Sequence, residues 1–196
     1  MNHDRIAEME KMMKRYFTGE HICLRAVEPE DLQVMYEMEN DPSMWDVSNF
    51  NVPYSKYVLR QYIENSQYDL FADKQLRLMV VERQTGRVAG TLDVSDFAPL
   101  HSRGDVGIAM RSDFRGKGYA REALQLLCDY CFGFLHMKQL TAHVGAGNEV
   151  SLQLFRSCGF VPCGCLKEWW RIEDGYVDVV LLQKVKGVDD APICSR

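Results

Sequence analysis

No stretch of the 196-residue chain approaches the roughly 18 consecutive apolar residues that a membrane span requires. Basic charge is also in short supply. Lys and Arg number 23 against 28 Asp and Glu, a formal net charge of −5, which argues against a nucleic-acid footprint and suits a cationic substrate. The opening, MNHDRIAEMEKMMKRYF, is charged throughout and lacks the apolar centre of a secretory leader, so the expected location is cytoplasmic. Internal repeats and low-complexity tracts are missing as well. The seven cysteines are an odd number in no secreted disulfide spacing. Cys128 and Cys131 form a C-x-x-C inside a helical pattern, while Cys163 and Cys165, expected near a turn, lack a convincing histidine partner. Zinc sites normally carry a second pair at set spacing. No metal is expected, and the thiols read as small core residues.

What the chain does contain is 46% hydrophobic and 26% charged residues, the balance of an ordinary globular domain. Residues 3–17 place Ile6, Met9, Met13, Tyr16 and Phe17 at helical spacing, which predicts an amphipathic helix ended by Gly19. HICLRAV (21–27) alternates as a strand and runs into EPEDLQVMYEMEN, where Pro29 suits a first helical turn and Glu28, Glu30 and Asp31 suit its positive end. Asn40-Asp41-Pro42 stops that helix; another starts near Pro53 and carries Tyr57, Leu59 and Tyr62. LRLMVVE (76–82) and VAGTLDV (88–94) form a hairpin, DFAPLHSRG (96–104) a polar loop, and DVGIAM (105–110) a strand. Ala120, Ala123, Leu124, Leu127, Cys128, Cys131 and Leu135 repeat at i, i+3, i+4 and i+7 on a helix. QLTAHV (139–144) is a strand, GAGN (145–148) a loop, and EVSLQLFRS (149–157) a short helix closed by Gly159. KEWWRI (167–172) and YVDVVLLQ (176–183) flank Glu173-Asp174-Gly175 as an end hairpin, and the tail from Lys186 frays. The fold class is mixed α/β (α+β) around one sheet.

RSDFRGKGYA (111–120) joins the third strand of the middle group to the long helix. A strand, a glycine-rich bend and a helix start aim unpartnered amides at one point, where the helix dipole adds positive charge. An anion docks there. Gly116 and Gly118 permit close approach, and Arg115 and Lys117 add charge. A triphosphatase loop would need glycine at 111 and Ser or Thr at 118, where Arg111 and Gly118 stand. A dinucleotide fingerprint starting at Gly116 would need glycine at Arg121.

The stretch Arg115-Gly116-Lys117-Gly118-Tyr119-Ala120 resembles the Q/R-x-x-G-x-G/A signature of the GNAT acyltransferase superfamily. Asn148, Ser151, Leu154-Phe155 and Gly159-Phe160 are similar to its downstream N-x-x-S/A-x-x-L/I-Y/F-x-x-x-G-F stretch. LRAVEPEDL (24–32) with Asn40-Asp41-Pro42 looks like the start of its ribosomal-protein and polyamine branches. The resemblance implies a mostly antiparallel sheet of about seven strands with about four flanking helices. That domain would span residues 20–185, between an N-terminal helix (1–19) and a flexible tail (186–196). It implies acetyl-CoA as cosubstrate, in a cleft where two strands splay apart. The amides of Arg115, Gly116, Lys117, Gly118, Tyr119 and Ala120 would hold the pyrophosphate, and Gly107, Ile108, Ala109 and Met110 would line the pantetheine arm. Gly107 carries a physical reason too, since glycine inside a strand marks a bulge or a close approach. Asn148 is either a cofactor contact or a plain helix N-cap.

The implied reaction is attack by a neutral amine on the thioester, after an ammonium of pKa ~10 loses a proton. Asp105 leads as the base, its alternative being a solvated strand end, and Asp93 and Glu168 are lesser candidates. Glu39 and Asp41, with Asp93, could attract a cationic acceptor. The polyamine branch has a tyrosine general acid seven residues after the asparagine; Phe155 stands there, so Ser151 or a water would assist the thiolate. Of Trp169 and Trp170, which alternate across one strand, Trp169 could wall the acceptor pocket. The expected activity is acetylation of a primary amine, polyamine or diamine favoured. A protein N-terminal amine, or CoA binding with little transfer, remains the alternative. Partners are a small-molecule or peptide amine and, through the end hairpin, a homo-oligomer; no nucleic acid and no membrane are expected.

Overall fold

The computed structural model describes residues 2–42, 53–66, 69–172 and 175–188. In chain order these form α1 (Asn2–Phe17), β1 (Ile22–Ala26), a 3-10 turn at Pro29–Asp31, α2 (Leu32–Glu39), α3 (Lys56–Asn65) and the short α4 (Leu70–Asp73). Then follow β2 (Leu76–Glu82), β3 (Val88–Ala98), β4 (Arg103–Met110), α5 (Tyr119–Asp129), β5 (Gln139–Gly145), α6 (Glu149–Ser157), β6 (Val161–Ile172) and β7 (Gly175–Val185). The described strands make one sheet in the order β1-β2-β3-β4-β5-β7-β6. Among them, only β4 and β5 pair in parallel; the other neighbours are antiparallel.

Two cores lie on opposite faces. On one, Ala123, Leu124, Leu127 and Cys128 of α5 and Leu152 and Phe155 of α6 pack on Leu92, Val94, Val106, Leu140, Ala142 and Leu182. On the other, Met35 of α2 and Leu59 and Ile63 of α3 cover Met79 and Val81 of β2. Strand β2 is therefore sandwiched, with Leu78 and Val80 in the first core. That accounts for its unbroken apolar run, the pattern of a strand covered on both faces. From β3 onward the second face is not sealed by the α2–α3 layer: Asp93, Ser95, Gly107, Thr141 and His143 are half-buried or exposed.

Local chemistry sets the element ends. Asp31, 4% exposed, accepts two hydrogen bonds from the Arg25 guanidinium, at 2.6 and 2.8 Å, and one from the Glu28 N–H, pinning β1 to the start of α2. Ser55 caps α3 by accepting from the Val58 N–H. Asn40 ends α2 and holds Tyr54 through both its amide atoms, joining the two helices. At Gly90 an added Cβ would sit 2.2 Å from the Ala109 carbonyl oxygen, so close β3–β4 packing requires glycine there.

Several expectations need correction. The segment taken as a polar loop continues β3 to Ala98, because Phe97 is buried in the core, and a 3-10 turn at Pro99–His101 follows. Strand β6 starts at Val161, so Cys163 and Cys165 lie exposed on a strand and not at a turn. The helix expected to run regularly to Leu135 changes to a π-helical turn at Tyr130–Phe134. There α1 docks: the Tyr16 ring meets Tyr130 and Phe134, Phe17 meets Tyr130, and Gly133 leaves room for the Tyr16 hydroxyl. The short α4 was not foreseen. Glu173 and Asp174 of the end turn, the tail beyond Val188, and the side chains of Ile6, Met9 and Met13 lie outside the described residues. Cys128 and Cys131 are buried in the core, where burial pushes the Cys128 thiol up to about 12 and raises Cys131 as well. Both stay protonated and inert as packing residues.

Candidate active site

Strand β4 pairs with β3 along its length, to Met110 opposite Gly90. Its pairing with β5 covers only Arg103–Gln139, Gly104–Leu140 and Asp105–Thr141. Beyond that rung the parallel strands separate, and β4 presents the edge of Val106 to Met110 to the gap. Both strands then feed helices: β4 leads to α5 and β5 to α6, so two helix N-termini flank one crevice at the carboxyl ends of the parallel pair. That is where open α/β sheets bind ligands.

The bend of residues 111–120 closes one side of the crevice. A 3-10 turn at Ser112–Phe114 brings the chain round, and Gly116 (φ 74°) and Gly118 (φ 81°) adopt the left-handed region that favours glycine. Gly118 is the N-cap of α5 and no side chain caps it. The first-turn amides of Tyr119, Ala120 and Arg121 thus lack both an intrahelical partner and a side-chain substitute. The bend is braced from below. Glu82 accepts from the Tyr119 hydroxyl at 2.7 Å and the Thr85 hydroxyl at 2.6 Å, and Lys117 Nζ lies 3.8 Å away. Hydrogen bonds from Thr85 and Tyr119, helped by Lys117 and Arg87, hold the Glu82 carboxyl below the usual range. Arg115 Nε donates to the Met110 carbonyl at 2.9 Å, and Arg87 and Lys117 stack over the buried Phe114 ring at 4.9 and 4.8 Å. The result is a basic rim around an uncapped helix start.

The open sheet face carries the polar groups. Arg77 is clamped by Asp93 (Nε to Oδ1, 2.6 Å) and Glu39 (Nη1 to Oε1, 2.6 Å), with the Tyr62 ring 5.6 Å from the guanidinium. Burial alone would lower the Arg77 pKa, but the two carboxylates raise it above its ordinary value. Glu39 and Asp93 are therefore spent largely on Arg77. Asp105 is no solvated strand end: its Oδ1 accepts from the Thr141 hydroxyl at 2.8 Å and faces His143 Nδ1 at 2.8 Å. Asp105 draws the His143 pKa upward by its hydrogen bond, against partial burial. His143 did not stand out in the sequence; its only signal was the outward phase of the alternating QLTAHV.

Other expected site residues are placed less favourably. Gly107 makes no bulge, sitting in regular register with Asp93, and a Cβ there would meet nothing within 4 Å. The glycine marks open space and not crowding. Asn148 is the N-cap of α6, its side chain accepting from the Ser151 N–H at 3.0 Å. Ser151 is half-buried one turn above Phe155. Phe155 is a core residue, 3% exposed and edge-on to Phe160 at 5.1 Å between centroids. Asp41 is half-buried just past the end of α2. Trp169 is 58% exposed, while Trp170 packs toward Gly145 at the end of β5. Glu168 lies at the β6 bulge, its N–H donating to Asp178, away from the parallel pair. Among the described residues no cluster of three or more His, Cys, Asp or Glu is arranged to hold a metal ion, and no helix is long and apolar enough to cross a membrane.

Comparison with known proteins gives this geometry a context. The acetyltransferase (GNAT) domain family matches residues 21–161. The spermidine N(1)-acetyltransferase of Vibrio cholerae is 27% identical over 158 residues, 81% of this chain and 89% of that protein. The crystal structure of a spermidine N-acetyltransferase from the same organism, in complex with CoA and spermine, has a TM-score of 0.77 at 25% identity and covers 85% of this chain and 96% of that one. A dodecameric structure of the V. cholerae enzyme in an intermediate state has a TM-score of 0.73 at 26% identity, covering 85% and 95%. A family match over most of the chain coincides with a sheet that opens between its parallel strands: the chain belongs to the GNAT acetyltransferase family.

Proposed function

We propose that this protein transfers the acetyl group of acetyl-CoA to a primary amine, with a polyamine such as spermidine as the favoured acceptor. The observation that carries the reading is the splay of β4 from β5 beside the uncapped, glycine-flanked start of α5. The amides of residues 115–120, with Lys117 and the rim arginines, suit a pyrophosphate. The free edge of Gly107, Ile108 and Ala109 suits the amides of a pantetheine arm, while Met110 has its carbonyl engaged by Arg115 and serves to brace the bend. Residues 20–185 form the catalytic domain in this reading, and α1 is an appended helix. Likeness to spermidine acetyltransferases supports the polyamine choice, and likeness to a dodecameric one supports a homo-oligomer.

Transfer needs three things from the chain. The amine must lose a proton, because an alkyl ammonium of pKa ~10 is charged at neutral pH; the polar row around Asp105 lies on the open face beside the gap. The carbonyl must be held against the β4 edge, where backbone N–H groups favour the developing oxyanion. The thiolate must be stabilised as it leaves. Phe155 cannot do so, having no hydroxyl and lying in the core, which leaves Ser151 and the amides at the start of α6.

Thiol release from acetyl-CoA, followed with spermidine, putrescine and a short N-terminal peptide side by side, tests the reading. Release with spermidine above the others is expected. Release with the peptide alone would move the acceptor to protein N-termini. Heat on titrating CoA with no release from any amine would make the protein a CoA binder, the reading that the missing phenol at position 155 favours.

A further inference from the structure

Side chains on β5 alternate strictly: Leu140, Ala142 and Val144 enter the core, and Thr141 and His143 point to the open face. On β4, Val106 enters the same core and Asp105 and Gly107 share the open face. Asp105 is the last β4 residue paired with β5, opposite Thr141. Continuing that register would set His143 opposite Gly107, but the strands have parted there. His143 thus stands on the lip of the gap, facing a residue whose Cβ position is open space. The ring is held, with its side chain 35% exposed and Nδ1 2.8 Å from Asp105 Oδ1.

The hydrogen bond fixes the tautomer. A carboxylate only accepts, so both the Thr141 hydroxyl and His143 Nδ1 donate to Asp105 Oδ1. In the neutral ring the lone pair then lies on Nε2, which makes no hydrogen bond among the described residues. An oriented imidazole with its free nitrogen at the mouth of the gap has the geometry of a general base. Asp105, by contrast, already has one oxygen engaged twice.

We propose that His143 Nε2 takes the proton from the acceptor amine, and that Asp105 is the positioning residue that sets its tautomer and orientation. This rests on the acetyltransferase reading above. Nε2 removes one proton from the ammonium; the freed nitrogen lone pair forms the C–N bond at the thioester carbonyl. The C–S bond then breaks with its electron pair on sulfur, which takes a second proton from nitrogen, and the proton on Nε2 passes to water. Among the described residues, the charged groups that act on His143 are Asp105 from β4 and Asp96 from β3, while β7 places the uncharged Leu181 opposite. Both acids raise the His143 pKa, so the acid limb of kcat/KM lies above the ordinary histidine value of ~6.5.

The experiment is a pH profile of thiol release by the full chain with acetyl-CoA and spermidine, with CoA affinity measured by calorimetry as a folding control. His143→Gln keeps a hydrogen-bonding group beside Asp105 but has no basic nitrogen; its kcat is expected to fall ~10²-fold with CoA affinity retained. Asp105→Asn is expected to lose less and to move the acid limb to lower pH, which a merely structural role would not do. Wild-type kcat and an unmoved limb in His143→Gln would overturn the assignment and return the base to Asp105. If His143→Gln fails to bind CoA, the limb in Asp105→Asn decides: a downward shift supports the assignment, and an unmoved limb overturns it. A wild-type protein that releases no thiol from any amine would overturn the transferase reading itself, an outcome distinct from an active His143→Gln.

Discussion

Asp105 and Thr141 form the last rung of the parallel pair, and they are joined by a side-chain hydrogen bond as well as by backbone register. The gap therefore opens at a fixed point, where α5 and α6 each contribute a positive end. The same rung carries the residue that orients His143, so strand separation and site polarity share an origin.

The bend depends on its glycines for shape. Gly118 has φ 81° and nothing within 4 Å of an added Cβ, so Gly118→Ala carries only the left-handed backbone cost, roughly 1–2 kcal/mol. The helix start would shift away from that conformation. CoA affinity is expected to fall ~10-fold by calorimetric titration, because about 1.4 kcal/mol is a factor of ten. Unchanged affinity would dissociate the bend from cofactor binding.

Glu39 and Asp93 are expected to matter for stability before they matter for the acceptor. Their side chains are 16% and 19% exposed, and Arg77 between them is 15% exposed. Asp93→Asn or Glu39→Gln takes one of two charged hydrogen-bond partners from a shielded guanidinium, at a cost of about 1.5–3 kcal/mol. Chemical denaturation should show that loss, while KM for spermidine in the surviving enzyme changes less than threefold. A stable variant with a sharply raised KM would reverse the assignment.

Acid should loosen the bend at residues 111–120. The Glu82 carboxyl is held below its unfolded value by hydrogen bonds from Thr85 and Tyr119. A depressed carboxylate stabilises the fold above its unfolded pKa, and that contribution is lost as pH falls through the folded value. Stability of the wild type is therefore expected to decline below ~pH 4.5 more steeply than that of Glu82→Gln. Denaturant midpoints measured across that range make the comparison, and parallel curves would contradict it.

Phe155 and Ser151, four residues apart on α6, should separate cleanly by readout. Phe155→Ala empties a core position and is expected to cost about 3–5 kcal/mol in unfolding free energy. Ser151→Ala removes one half-buried hydroxyl and is expected to leave the melting temperature nearly unchanged while lowering kcat several-fold. Full turnover in Ser151→Ala would assign thiolate stabilisation to the backbone of α6 or to water.

Much of the architecture is legible from residue order, because it rests on local periodicity. The α5 stripe, the boundaries of α6 and the alternation along β5 follow from spacings of three, four and two. The glycine pair at 116 and 118 announces the bend, since few other residues tolerate that backbone. Boundaries failed where tertiary burial overruled composition, as at Phe97, whose core contact extends β3 through a polar segment. The roles of single polar residues were not legible. Asp105 reads as the leading base and Glu39 and Asp93 as acids that could attract the acceptor, but the fold hands Glu39 and Asp93 to Arg77 and pairs Asp105 with His143, 38 residues further along the chain. The His143 pairing follows from strand register across a parallel crossover, and the Arg77 pairings from an antiparallel register and a helix end, none of which leaves a mark in neighbouring residues. Sequence thus determined most of the helices and strands and where the glycine bend falls; three-dimensional packing alone settled which carboxylate meets which base.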